Sequence, residues 1–394
     1  MAEPLRIVLL GALGQMPFAG VAWQVLHYLE GLRRLGHEVC YVEETGSWPY
    51  DPDAETVTDD ATAAVRKLGA LLRAHGFGDR WAYRNGARPD ELHGMSERAL
   101  AARLAGADVL VNLSGATVLG DRHRAVAIRI YLETDPVTPQ LEIDEGHAFT
   151  AELLAAHTHH FTFGERIGTP GCAVPVGDIA YRHTRQPVVL DWWAPDAGDP
   201  PPAPGGHLRC TTIASWEQAF KDVTWRGERY TWSKRAEFEK LLGVPARVDV
   251  TLELALALDD TAQLAALRDA GFAVRPAREL SDDPAVYRAY IRGSGAEFTA
   301  AKDQNVRLRS GWFSDRTATY LAAGRPAVVQ DTGFDAVLPT GEGLLSFRDA
   351  DEAVAALERV AADPARHGRA ALEIAREHFD AATVLARLLR DAGA

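Results

Sequence analysis

The chain has 394 residues, 47% hydrophobic and 25% charged, and its 42 Lys and Arg against 55 Asp and Glu leave a formal charge of −13. At roughly 150 residues per domain that length implies two or three domains, each with its own core, and the composition excludes disorder. An acidic surface repels nucleic-acid backbone and anionic lipid, so any anionic ligand must be held by a local cluster of donors. No apolar run approaches the roughly 20 residues of a membrane span, and the N-terminus MAEPLRIVLLGALGQ lacks the basic and apolar regions of a secretory signal; the chain reads as cytoplasmic. Cys40, Cys172 and Cys210 form no CxxC pair, which excludes a disulfide framework and a thiolate metal site.

Short apolar runs alternate with helical stretches, the pattern of α/β domains with parallel sheets. Residues 5–10, 37–43, 107–113, 127–133 and 159–164 read as strands of a first doubly wound unit. A proline-rich stretch follows, TRQPVVLDWWAPDAGDPPPAPGGH, of the kind that acts as a semi-rigid spacer. Strands resume at 208–215, 247–256, 272–277, 297–301, 326–331 and 343–347, and 350–391 is helical with breaks near Asp363-Pro364 and Asp380. The expected organisation is a Rossmann-like domain over 1–185, a linker over 186–206, a second Rossmann-like domain over 207–375 and a terminal helix over 376–394. Two such domains face each other across a cleft, and ligands bind beyond the carboxyl ends of their strands.

Four strand-end loops can carry chemistry there. Residues 11–20, GALGQMPFAG, lead into a helix starting near Val21, and Gly14 and its neighbours allow close backbone approach to a ligand; the spacing is not a dinucleotide fingerprint. Residues 133–139, ETDPVTP, place Glu133 and Asp135 at a strand end, where a carboxylate can act as general base. Residues 302–317, KDQNVRLRSGWFSDRT, gather Lys302, Arg307, Arg309 and Arg316 around Ser310 and Gly311. Ser314 stands there as an N-cap and Thr317 one turn on, a set suited to a diphosphate. Residues 331–334, DTGF, can meet sugar hydroxyls. His157, His159 and His160 suggest metal spacing, but neighbours on a strand point to opposite faces, so no metal is expected. His27 reads as a structural histidine, and Trp216, Trp225 and Trp232, interleaved with Lys221 and Arg226, suit either stacking or core packing.

The segment SDRTATYLAAGRPAVVQDTGF, the later GEGLLSF and the opening GALGQ…LEGLRRLGHEVCYVE together resemble the GT-B glycosyltransferases of the family-4 and family-1 type. The resemblance implies two facing Rossmann-like domains, with the C-terminal helix crossing back to the first. It implies a nucleoside diphosphate sugar, of the UDP or dTDP kind, as co-substrate without other cofactor, and a small-molecule acceptor such as a secondary metabolite. By position it assigns Ser310, Gly311, Ser314, Arg316 and Thr317 to the diphosphate, Asp331, Thr332 and Gly333 to the donor sugar, Lys221 to phosphate and Arg278 to the base. Thr319 stands where retaining members carry a Glu, and Gly311 eight residues before it, so the stereochemical outcome is open; for an inverting enzyme Asp135 and Glu133 are the candidate bases. No nucleic-acid partner is expected, and homodimerisation stays open. A nucleotide-sugar 2-epimerase and a silent sugar-nucleotide-binding subunit are the alternatives.

Overall fold

A computed structural model describes residues 3–196 and 206–394. Among them lie two large sheets. The first contains β1 (Arg6–Leu10), β2 (Glu38–Glu43), β3 (Trp81–Arg84), β4 (Leu92–Gly94), β5 (Val109–Leu113), β6 (Ile128–Glu133), β7 (His159–Thr162) and β8 (Tyr181–His183), in the order β8-β7-β6-β5-β1-β2-β3-β4. All pairs are parallel except β3–β4. The apolar runs of β1, β2, β5 and β6 are buried because helices cover both faces of a parallel sheet. β3, β4 and β8 escape a reading by apolar runs: all are short, and β4 and β8 are sheet edges with polar residues, as solvent-facing edges require.

The second sheet contains β9 (Arg209–Ser215), β10 (Thr251–Ala257), β11 (Ala273–Pro276), β12 (Ala296–Thr299), β13 (Ala327–Gln330) and β14 (Leu344–Phe347) in the order β11-β10-β9-β12-β13-β14. This is the Rossmann arrangement 3-2-1-4-5-6, with the switch of direction between β9 and β12. In the first sheet the corresponding crevice lies between β1 and β5. The helices around these sheets include α1 (Ala19–Arg34), α2 (Thr138–Asp144), α3 (Asp303–Leu308), α4 (Asp315–Ala322) and α5 (Ala381–Asp391). α5 lies on α1, where a Cβ on Gly31 would stand 2.5 Å from Leu385 Cδ1; the absent side chain lets the two helices approach.

The first half of the expected linker is not a spacer. Val188 and Val189 are buried, Trp193 is fully enclosed, and Val188 exchanges backbone hydrogen bonds with Phe379 and Ala381. The apolar side chains of VVLDWW outweigh the prolines around them; each contributes roughly 1.5–3 kcal/mol when buried. His27 sits among Trp23, Trp192 and Trp193, with Nδ1 facing the Val189 N–H and Nε2 facing the Trp193 indole N–H, so it is structural, and burial pushes it down to about 3. Residues 197–205, the proline-richest part of the linker, lie outside the described residues.

The cleft is closed by an apolar seam. A hairpin of Val223–Trp225 and Glu228–Tyr230 leans from the second domain onto α2, packing Val223, Trp225 and Tyr230 against Val137 and Leu141. Trp225 donates to Asp144 (2.6 Å), Thr138 to Gln304 (3.0 Å) and the Trp312 indole to the Thr134 carbonyl (2.9 Å). Trp216, by contrast, stacks on Phe238 inside the second core. Among the described residues no helix is long and apolar enough to cross a membrane.

Candidate active site at the facing strand-end crevices

The crevice between β9 and β12 is where basic side chains converge. Arg316, in the first turn of α4, donates from Nε to Glu297 (2.8 Å), from Nη1 to the Ile213 carbonyl and from Nη2 to Thr299 (3.1 Å), so it bridges both strands at the switch point. Lys234 donates to Thr299 (3.1 Å) and the Ala300 carbonyl (2.6 Å). Lys302, just beyond β12, pairs with Asp135 of the other domain. Its Nζ also lies 3.2 Å from the Trp232 ring centre, and Lys221 Nζ lies 4.1 Å from the same ring. Two ammonium groups beside one indole ring repel each other, and their cost falls when an anion binds near both. Burial pulls Lys302 down to about 8 despite Asp135, and burial with the repulsion of Arg316 pulls Lys234 well below the ordinary lysine range. Burial opposes the charge of Arg316, but Glu297 outweighs it and keeps the guanidinium charged.

The first domain answers with the loop after β6. Burial raises the Asp135 carboxyl, but Lys302, Lys221 and Lys234 outweigh it and hold the group ionised below the usual carboxylate range. Pro136 follows, then Val137 at φ 94° and ψ −56°, a conformation that a β-branched residue adopts only under constraint. The constraint is visible: the Val137 N–H donates to Gln140 (2.7 Å), whose amide donates to both Glu133 oxygens (2.9 and 2.8 Å), and Thr162 donates to Glu133 (2.7 Å). Glu133 therefore braces the loop from behind. Burial raises its carboxyl to about 7, but it is enclosed and faces Gln140 and Thr162 rather than the cleft, which corrects its candidacy as a base.

The glycine loop after β1 is already occupied by the protein itself. Glu43, at the end of β2, accepts from the Gly14 N–H (2.7 Å), the Gln15 N–H (2.7 Å) and the Tyr41 hydroxyl (2.7 Å). The backbone donors expected to meet a ligand phosphate at Gly14 thus hold a buried carboxylate, and burial raises that carboxyl to about 7 against these hydrogen bonds. A Cβ on Gly14 would meet the Tyr83 ring at 2.6 Å, so the glycine serves packing against Tyr83.

The 302–317 segment is also not one loop. α3 intervenes and turns its cations apart: Arg307 pairs with Glu228 over the Tyr230 ring, and Arg309, left-handed at φ 51°, reaches Asp331 (3.2 Å). Only Lys302 and Arg316 of the four enter the crevice. Ser310 is buried and donates to Asn305 (2.6 Å). Gly311 donates to the Thr332 carbonyl (2.8 Å), and Thr332 to the Trp312 carbonyl (2.6 Å). Asp331 accepts from the Gly333 N–H (2.7 Å) in a closed turn. The side chain of Arg166, from the first domain, covers both glycines, 2.7 Å from a Cβ on Gly311 and 3.0 Å from one on Gly333. Ser314 occupies the N-cap position of α4 without capping it, and the Thr317 hydroxyl is buried with no hydrogen-bond partner. Arg278 is committed to Asp282 (3.0 Å), Glu55 and the Pro52 carbonyl, tying the second domain to the 50–57 hairpin of the first. His157 contacts Asn112 and His160 the Leu154 carbonyl; among the described residues no group of three or more His, Cys, Asp or Glu is placed for a metal ion. Trp232, singled out in the sequence for stacking or core packing, lies against Lys221 and Lys302. Lys234 carries no sequence signal: WSK is no motif, and only the fold brings it to Thr299 and Ala300 at the end of β12.

Two Rossmann-like domains whose strand-end crevices face each other define the GT-B class. Residues 283–390 match the family model described as "Glycosyl transferase-like", which places glycosyltransferase-type sequence on the second domain, including α4 and its Arg316. Among solved structures the chain is similar to Anabaena HepE in complex with UDP and glucose, with a TM-score of 0.57 and 10% identity over 99% of each chain. It is similar to AviGT4, a glycosyltransferase involved in avilamycin A biosynthesis (TM-score 0.53, 14% identity, 99% of this chain and 97% of that one). It is also similar to an α-glucosyltransferase in complex with UDP and a 13-mer DNA (TM-score 0.55, 9% identity, all of both chains). No curated protein matches the chain in sequence.

Proposed function

We propose that the protein transfers a sugar from a nucleoside diphosphate sugar, whose nucleotide is the UDP held in the HepE and α-glucosyltransferase complexes, to the hydroxyl of a small molecule. The observation that carries this reading is the convergence of Lys221, Lys234, Lys302 and Arg316 at the switch point of the family-matched domain, in a chain of net charge −13. Oriented cations at that point stabilise the charge that develops on a leaving diphosphate, so no divalent ion is called for.

The Asp135–Lys302 pair gives the reaction an order. A diphosphate entering between Lys221 and Lys302 draws their charge away from Asp135, and the carboxylate becomes a stronger base. It then takes the acceptor proton, the acceptor oxygen bonds to the anomeric carbon, and the carbon–oxygen bond to the diphosphate breaks with its electron pair leaving on the phosphate. The avilamycin enzyme among the similar structures favours a small-molecule acceptor, and the acidic surface disfavours DNA. Incubation with UDP-glucose should give UDP only slowly without an acceptor and faster with one, at a rate that a chelator does not change. Conversion of the donor to an epimer without acceptor, or loss of activity on chelation restored by magnesium, would overturn the proposal.

A further inference from the structure

Ser114 stands out on the first-domain side of the cleft. It directly follows β5, one of the two strands that flank the β1–β5 crevice, it is exposed, and it is held at φ 55°, in the left-handed region that favours glycine. The chain uses glycine next door, where it must: a Cβ on Gly115 would stand 2.6 Å from the Tyr131 ring. At 114 it keeps a side chain despite the strain. The backbone enforces the conformation, with the Ser114 N–H donating to the Leu132 carbonyl (2.8 Å) and Asn112 tying down Thr117 on both its amide and carbonyl (3.1 and 2.8 Å). Strain of this kind persists where the side chain has work to do.

The Ser114 hydroxyl lies 2.5 Å from the Thr134 hydroxyl, and Thr134 precedes Asp135. One hydrogen joins the two oxygens, leaving a second hydrogen and free lone pairs to meet an incoming hydroxyl. The loops flanking the crevice each expose an apolar side chain, Met16 after β1 (43%) and Val118 after β5 (55%). We propose that Ser114 is an acceptor-positioning residue, whose hydroxyl orients the acceptor alcohol toward Asp135, and that the acceptor is an uncharged alcohol or phenol carried on an apolar frame. The proposal rests on the glycosyltransferase reading of the cleft. In the positioned complex the acceptor O–H gives its proton to Asp135 as its oxygen bonds to the anomeric carbon and the diphosphate departs with the bonding pair.

Glycine suits the left-handed backbone better than serine, so Ser114→Gly separates function from folding. The full-length protein and this variant are compared by thermal melting, by calorimetric titration with UDP, and by transfer from UDP-glucose to 4-methylumbelliferone, octyl glucoside and a hydroxymethylated DNA duplex. The expected result is an unchanged or raised melting temperature, an unchanged UDP affinity, and an apparent KM for the phenol or octyl glucoside raised about tenfold, the value of one hydrogen bond. Wild-type kinetics in the variant, or loss of UDP affinity along with activity, overturns the role of Ser114. A wild-type protein that binds UDP yet modifies only the DNA, or none of the three, overturns the acceptor class. A wild-type protein that does not bind UDP breaks the underlying reading as a UDP-sugar glycosyltransferase instead.

Discussion

The two strand-end crevices look alike in sequence and differ in charge. After β1 a glycine-bearing turn leads into α1, and at the end of β12 and the start of α4 glycine, serine and cations gather; either pattern suits an anion. In the first crevice the acceptor is internal, because the Glu43 carboxyl oxygens accept from the Gly14 and Gln15 amides. In the second, Lys221 and Lys302 both lie against the Trp232 ring, and Asp135 of the first domain pairs with Lys302 across the cleft. Backbone geometry makes an anion site possible, and the residues on neighbouring strand ends decide whether the protein has already filled it.

Replacing Asp135 should have the strongest consequence. If it is the base that donor binding releases from Lys302, Asp135→Asn should lower kcat by about 10²–10⁴-fold while UDP affinity stays level or improves, since a competing negative charge is gone. Wild-type turnover in that variant would remove Asp135 from the chemistry. A smaller effect tests the filled crevice. Glu43 titrates near 7 in the folded protein against about 4.5 unfolded, so its contribution to stability is full at low pH and is lost as pH rises through 7. Glu43→Gln cannot ionise; the stability advantage of the wild type over this variant should therefore shrink by about 2–3 kcal/mol between pH 4.5 and 7.5. Denaturant unfolding at the two pH values measures it, and an advantage that grows with pH would mean that Glu43 is ionised throughout.

Much of the fold was legible because parallel strands buried on both faces are near-continuous apolar runs, and every strand expected from such runs is present. β3, β4 and β8 were not, since short or edge strands carry polar residues and their pairing is decided by neighbours distant in sequence. The site was legible in part. Asp135, Lys221, Lys302 and Arg316 stand at strand or helix ends and do converge. Arg307 and Arg309 were grouped with them because 302–313 reads as a loop, whereas a two-turn helix sends each to its own carboxylate. Glu133 and Asp135 are two residues apart, but the Pro136–Val137 turn leaves one braced inside and the other in the cleft. Lys234 and Ser114 needed the fold: nothing local marks a lysine that will lie under a distant strand or a serine that will be left-handed.

On the proposed function the donor diphosphate binds among Lys221, Lys234, Lys302 and Arg316. Calorimetric titration of UDP into the wild type, Lys302→Ala and Arg307→Ala, each checked for folding by its melting curve, tests it most directly. Loss of Lys302 should weaken binding by about 1.5–3 kcal/mol, more than tenfold, while loss of Arg307, which faces Glu228 on the surface, should change it by less than about 0.5 kcal/mol. Equal UDP affinity in the wild type and a folded Lys302→Ala protein would place the diphosphate elsewhere.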